Sequence, residues 1–320
     1  MRGLIVSAAV ALLLIGPNAN AKRFAAQQRS PIPITECGTI TRPGNYVLQN
    51  DLVLEVSEQD LGTETCLTVD TSRVSIDFGG NTIGVACLAP LPSECLSELG
   101  LPGGIGIEVE SGADSVSISN GTVQDYVYGI VADQAYYLSA ANLNLQVDVG
   151  VTLNDVSYSA VKDISYEGAD TRYHATAGPL LYVSGGSHNY FNNLHGVTGT
   201  DVGIVDAVQI IDSNANAVSN SDIENASSCS GADILMTDGS SFNIVTGNTL
   251  FNLCGSGVEV DTGGRRNVIA WNNVMVESPP FVFAMLDENS NCGSDLWFLN
   301  TFSNEFYADL VSASPSSCIH

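Results

Sequence analysis

Short runs in which apolar and polar residues alternate recur along most of the chain. Gly257-Val258-Glu259-Val260 is one, and the same pattern stands at Cys66-Leu67-Thr68-Val69, Gly106-Ile107-Glu108-Val109, Gly129-Ile130-Val131-Ala132 and Gly150-Val151-Thr152-Leu153. It continues from Leu180, Ala207, Asp233, Val282 and, more weakly, Tyr307. Successive starts lie 21 to 30 residues apart after a first step of 40. Alternation over four residues predicts a half-buried strand, and a spacing of 20–30 residues kept over ten units predicts a solenoid. A second short strand recurs between the first ones, in VSIDFGGNTI (74–83), VSISNGTV (116–123), NIVTGNTL (243–250) and NVIAWNNV (267–274). The units are too short for two helices each, and the helical period is absent. A β-sandwich would also have evenly spaced strands, but it would not bring equivalent residues back at each turn. The prediction is an all-β chain: a parallel β-helix of about ten coils, a rod of roughly 50 Å at ~4.8 Å per coil. Val258 and Val260 are then expected inside and Glu259 outside.

The segment CGTITRPGNYVLQNDLVL (37–54), followed by CLTVDTSRVSIDFGGNTI (66–83), resembles the opening coil of the right-handed parallel β-helix proteins of the pectin-lyase-like class, which include bacterial repeat proteins similar to NosD. The resemblance covers most of residues 34–312 and implies a right-handed parallel β-helix solenoid. That fold carries lyases, hydrolases, esterases, epimerases and non-catalytic binders, so it implies a polysaccharide partner more than any one reaction. Polygalacturonase-like enzymes show Asn-Thr-Asp, Asp-Asp, Gly-His-Gly and Arg-Ile-Lys. This chain offers only Leu194-His195-Gly196, and the pectate-lyase-like Arg-x-Pro-x-x-Arg is missing too.

Residues 1–21 carry one Arg, an apolar run from Leu4 to Ile15 and then Ala19-Asn20-Ala21. Twelve apolar residues are too few to span a bilayer, and the ending suits signal peptidase, so 1–21 read as a signal peptide. Residues 22–33 read as a flexible leader, and 34–320 as a single β-helix domain with an insertion at 84–104. No other apolar run approaches a membrane span, which makes the mature protein secreted or periplasmic. Without the signal, nine Lys/Arg stand against 35 Asp/Glu, a net charge of −26. That charge excludes nucleic acid as a partner and repels anionic lipid. A monomer is expected.

Eight cysteines follow the signal: Cys37, Cys66, Cys87, Cys95, Cys229, Cys254, Cys292 and Cys318. In an oxidising compartment an even number implies disulfides. Cys229 and Cys254 stand at the same phase of adjacent coils, as do Cys292 and Cys318, and neighbouring parallel strands lie inside the disulfide Cα range. Cys87 pairs with Cys95 inside the insertion, and Cys37 with Cys66 by elimination.

An acid follows the first strand by four or five residues in eight units: Asp70, Glu110, Asp133, Asp155, Asp212, Asp238, Asp261 and Asp287. Stacked, these form an acidic edge. Its plain meaning is Asp capping each turn. Its chemical meaning is a Ca²⁺ edge at Asp212, Asp238, Asp261 and Asp287, with no other cofactor expected. Candidate catalytic residues gather where the coils lengthen, in Arg172 and His174, with His188, Asp201 and Asp206 on the following coils. Arg172 would hold an acidic sugar and a histidine would move a proton near neutral pH. The expected function is a β-helix that binds polysaccharide or serves as a structural module. The alternative is a diverged polysaccharide lyase or glycoside hydrolase.

Overall fold

The computed structural model describes residues 30–56, 64–87, 103–168, 178–198, 206–225, 231–253, 255–277, 283–289, 294–304, 312–314 and 319. These residues are strands and turns without a helix, and every strand pairing is parallel. The chain winds as a right-handed parallel β-helix. A first sheet takes one strand from each coil, eleven in all, and a second sheet of 17 strands closes the other wall. In the middle coils the second wall is a single nine-residue strand, such as Tyr190–Thr198. In later coils it splits into two, such as Ala217–Ser219 and Asp222–Asn225.

Register explains the recurrence of the alternating runs. It carries Leu67 to Ile107, Ile130, Val151, Leu181, Val208, Ile234, Val258 and Met285 in successive coils, all buried. The residue before each of these also points inward, at the bend that opens the strand. A Cβ on Gly257 would stand 2.2 Å from Val274 Cγ1, so only the smallest residue fits there. Gly106, Gly129, Gly150, Ala207 and Ala284 fill the same position in other coils. Asp233, which is fully buried, is the polar exception.

Val258 and Val260 are buried as expected, whereas Glu259 is half-buried rather than open. Burial, Glu288 and Asp206 together push its carboxyl above the usual range. Other boundaries move as well. Ile32 and Pro33 pair with Tyr46 and Val47, so the last residues of the expected leader are strand. Gly38–Ile40 adds a first-sheet strand before the ten counted; the weak unit at Tyr307 lies outside the described residues, and Ser312–Ser314 is the strand that pairs with Phe283–Asp287. Strands Thr82–Cys87 and Gly103–Val109 absorb both ends of the 84–104 insertion, leaving 88–102 between them, outside the described residues. Cys37, just before Gly38–Ile40, and Cys66, in the neighbouring strand Thr65–Val69, form the expected disulfide with Cα atoms 4.6 Å apart. Cys95, Cys229, Cys254, Cys292 and Cys318, and the side chain of Cys87, lie outside the described residues.

Two buried asparagine ladders tie the coils along the axis. In the first, the side-chain oxygens of Asn189, Asn216, Asn243 and Asn267 accept the N–H of Ser159, Asn189, Asn216 and Asn243, one coil earlier. Each amide NH2 donates to the carbonyl three residues before that N–H: Val156, Gly186, Ser213 and Ser240. Asp295 takes the last place, accepting from Asn267 N–H at 2.7 Å. Asn248, Asn272 and Asn300 repeat the arrangement at the next corner, with NH2 donors to Val218, Val245 and Ile269. Buried turns leave backbone groups that water cannot reach, and each amide satisfies one donor and one acceptor.

Candidate functional site

Successive coils pass from the first sheet to the second through two left-handed residues three positions apart, such as Asp155 and Tyr158, and the second of them forms a column. Ser115, Tyr137, Tyr158, His188, Ala215, Phe242 and Arg266 occupy this position in consecutive coils, with φ between 57 and 60°. The column is stitched by backbone bonds from Tyr137 to Ser157, Tyr158 to Ser187, His188 to Asn214, Ala215 to Ser241 and Phe242 to Arg265. Left-handed backbone costs an ordinary L-residue roughly 1–2 kcal/mol, which Gly, Asn and Asp largely escape. The corner inside the second sheet obeys that preference through Asn120, Asn142, Asp163, Asn193, Asn220 and Gly247, until Trp271 and Leu299 take the same position in the last coils. The first corner departs from it earlier, with rings at Tyr137, Tyr158, His188 and Phe242.

Those rings stack on the outside of the molecule. Tyr137 and Tyr158 have centroids 5.7 Å apart, and Tyr158 and His188 lie 4.9 Å apart with planes 16° from parallel. Tyr136 joins at 6.5 Å. Tyr137 and Tyr158 remain 58% and 50% exposed, so the stack covers no core and offers its edges and an end face to solvent. Beyond Ala215 the row resumes with Phe242, over which the Arg266 guanidinium sits at 5.3 Å. Arg266 is thereby held in a cation–π contact on the outer surface.

Of the candidate catalytic residues, Arg172, His174 and Asp201 lie outside the described residues. His188 belongs to the ring row, its Nδ1 3.1 Å from Ser187 Oγ. Asp206 precedes the first-sheet strand Val208–Ile211, whereas Ala215, the counterpart of His188, follows it. The two are therefore at opposite ends of that sheet. Asp206 is buried, and its oxygens accept Ala232 N–H at 2.6 Å and the Gln209 amide at 3.1 Å. Burial raises its pKa.

The acidic edge does not form one column. Register places Asp261 level with Thr237, whose hydroxyl donates to it at 2.7 Å, so Asp261 stands one residue short of Asp238. Asp212 and Asp238 share a level, as the register of Ile211 with Thr237 requires. Asp287 pairs with Val260 inside the strand, and its buried carboxylate accepts the Trp297 indole N–H and Asn289. Among the described residues no three His, Cys, Asp or Glu converge as metal ligands.

Of the ring row, the sequence-based site held only His188. The row's signal was there: an aromatic or His stands two residues before the second-sheet strand in Tyr137, Tyr158, His188 and Phe242.

The chain matches no protein-family model and no curated protein sequence. Among solved structures it is similar to the DFA-IIIase of Arthrobacter chlorophenolicus A6 in complex with DFA-III, with a TM-score of 0.57 and 12% identity over 86% of this chain and 75% of that one. The same enzyme without its lid gives 0.56 and 11%, over 86% and 80%. An alginate lyase from Paenibacillus sp. str. FPU-7 gives 0.54 and 14%, over 84% and 95%. Identities this low speak for the fold.

Proposed function

We propose that this protein is a secreted or periplasmic carbohydrate-binding solenoid whose binding face is the row Tyr136, Tyr137, Tyr158 and His188. The observation that carries the reading is a stack of exposed rings held on backbone that disfavours them, with no core to cover. The C–H face of a sugar ring meets the electron-rich face of an aromatic ring much as two aromatic rings meet. The stack presents one such face at its His188 end, and the exposed edges of the other rings line the approach to it. Acids flank it, Asp155 three residues before Tyr158 and Asp212 three before Ala215, and both are exposed. This favours a neutral glycan over an acidic one. The Cys37–Cys66 disulfide and the signal-like 1–21 segment support an oxidising compartment. An alginate lyase on the same scaffold supports a polysaccharide partner.

Calorimetric titration of neutral hexasaccharides tests this. Tyr158→Ala should weaken binding by about three- to ten-fold, the worth of one ring contact, and leave the melting temperature within about 2 °C. Parent protein that binds none of them, or a variant that binds as well as the parent, sinks the reading.

A further inference from the structure

The ring row is interrupted at a single coil, and the interruption is two residues wide. Ala215 stands between His188 and Phe242 in the left-handed column. Two residues on, Ala217 stands between Tyr190 and Ile244 in the outward row of the second sheet. Tyr190, Phe242 and Ile244 are 45%, 51% and 43% exposed, so both walls stand proud of a floor made by two methyl groups. Asn214 closes one end of that floor. Its side-chain oxygen accepts Ser241 N–H at 3.1 Å, and its amide NH2 has no partner among the described residues.

From this notch we infer a subsite for one ring of a neutral glycan, inserted over Ala215 and Ala217 between the His188/Tyr190 wall and the Phe242/Ile244 wall. The inference rests on the carbohydrate reading above and narrows it to one position. The walls belong to coils two steps apart, ~9.6 Å, so an inserted ring lies ~4.8 Å from each. That falls within the 4.5–7 Å range at which ring faces meet, and it matches the 4.9 Å between Tyr158 and His188. The guest takes the place of the side chain that Ala215 lacks. The ring needs two apolar faces for the walls and a polar edge for Asn214, which describes a pyranose or furanose. Asp212, exposed at the same end, disfavours a uronate there. Arg266, stacked behind Phe242, steadies the far wall.

The test is Ala215→Tyr. Tyrosine is compatible with this backbone, because Tyr137 and Tyr158 hold it at the same φ one and two coils before His188. The substitution completes the ring row and fills the notch. Titration with cello-, xylo-, manno-, laminari- and fructo-hexaose should show at least a ten-fold loss of affinity for the hexaose that the parent binds. Phe242→Ala, which removes a wall, should weaken the same hexaose about three- to ten-fold. If Tyr158→Ala weakens binding but Ala215→Tyr leaves it unchanged or tightens it, the notch is overturned and the ring row stands. If neither substitution alters binding, both fail. Parent protein that binds aromatic peptides and none of the hexaoses also overturns the subsite.

Discussion

Asn243→Ala should lower the unfolding free energy by about 1–3 kcal/mol, a large loss for a single polar substitution. Asn243 is fully buried in the middle of the first ladder. Its side-chain oxygen accepts Asn216 N–H at 2.9 Å, and its NH2 donates to Ser213 C=O at 3.0 Å. Alanine leaves the Asn216 N–H without a partner in a place water does not reach, and leaves Ser213 C=O with only the longer 3.3 Å bond from Ser241 N–H. The orphaned donor costs roughly 1–3 kcal/mol. Asn243→Asp separates the two halves, since it keeps the acceptor and loses the donor to Ser213. Asn273 provides the control: it is exposed and, among the described residues, its side chain hydrogen-bonds only the Thr301 hydroxyl, so Asn273→Ala should cost under about 0.5 kcal/mol. In a solenoid each coil touches only its neighbours, so amide exchange should accelerate first in the coils around residue 243. Urea denaturation giving equal losses for Asn243→Ala and Asn273→Ala would overturn this account of the ladder.

The strands were legible because burial on one side imposes a period of two, and one wrong step would turn every Val and Ile of a run to water. The acidic edge was misjudged for the same reason. Counting four or five residues from a strand start tolerates a one-residue error, and one residue separates Asp261 from Asp238. The asparagines were visible in the sequence, since Asn216 and Asn243 are as far apart as Asn189 and Asn216. Asparagine between strands reads as an exposed turn, however. Only the closed coil shows that these amides point inward to backbone. The ring row was hidden by propensity itself, because tyrosine and phenylalanine argue against left-handed backbone. Long-range stacking outweighs that preference in the fold, and a single-residue preference carries no trace of it.

Asp295→Asn should stabilise the protein above pH 6 and do little at pH 4. The four asparagines before Asp295 in its ladder each donate NH2 to a carbonyl three residues before the preceding rung. By the same offset an amide at position 295 would donate to the carbonyl of Gly264, three before Asn267. The second oxygen of Asp295 is buried and has no partner. An ionised Asp295 carboxylate has no proton to give there, whereas the protonated acid has one. Burial, with Asp287 as a like charge, pushes its pKa from 3.8 up to about 6, against the opposing pull of Asn267 N–H. The folded state therefore binds the proton more tightly than the unfolded chain. The contribution of Asp295 is fully present below about pH 4, is lost as the pH rises to about 6, and stays lost above it. Asparagine supplies the missing donor at every pH. Asp148, pushed to about 7 by burial, titrates in the same direction, so the parent's own slope mixes several groups. The difference between variant and parent isolates Asp295. Urea denaturation should show that difference growing by about 1–3 kcal/mol between pH 4 and pH 7.5, the worth of one buried acceptor regained. A difference that stays constant across this range would show that Asp295 is ionised throughout and that its second oxygen finds another partner.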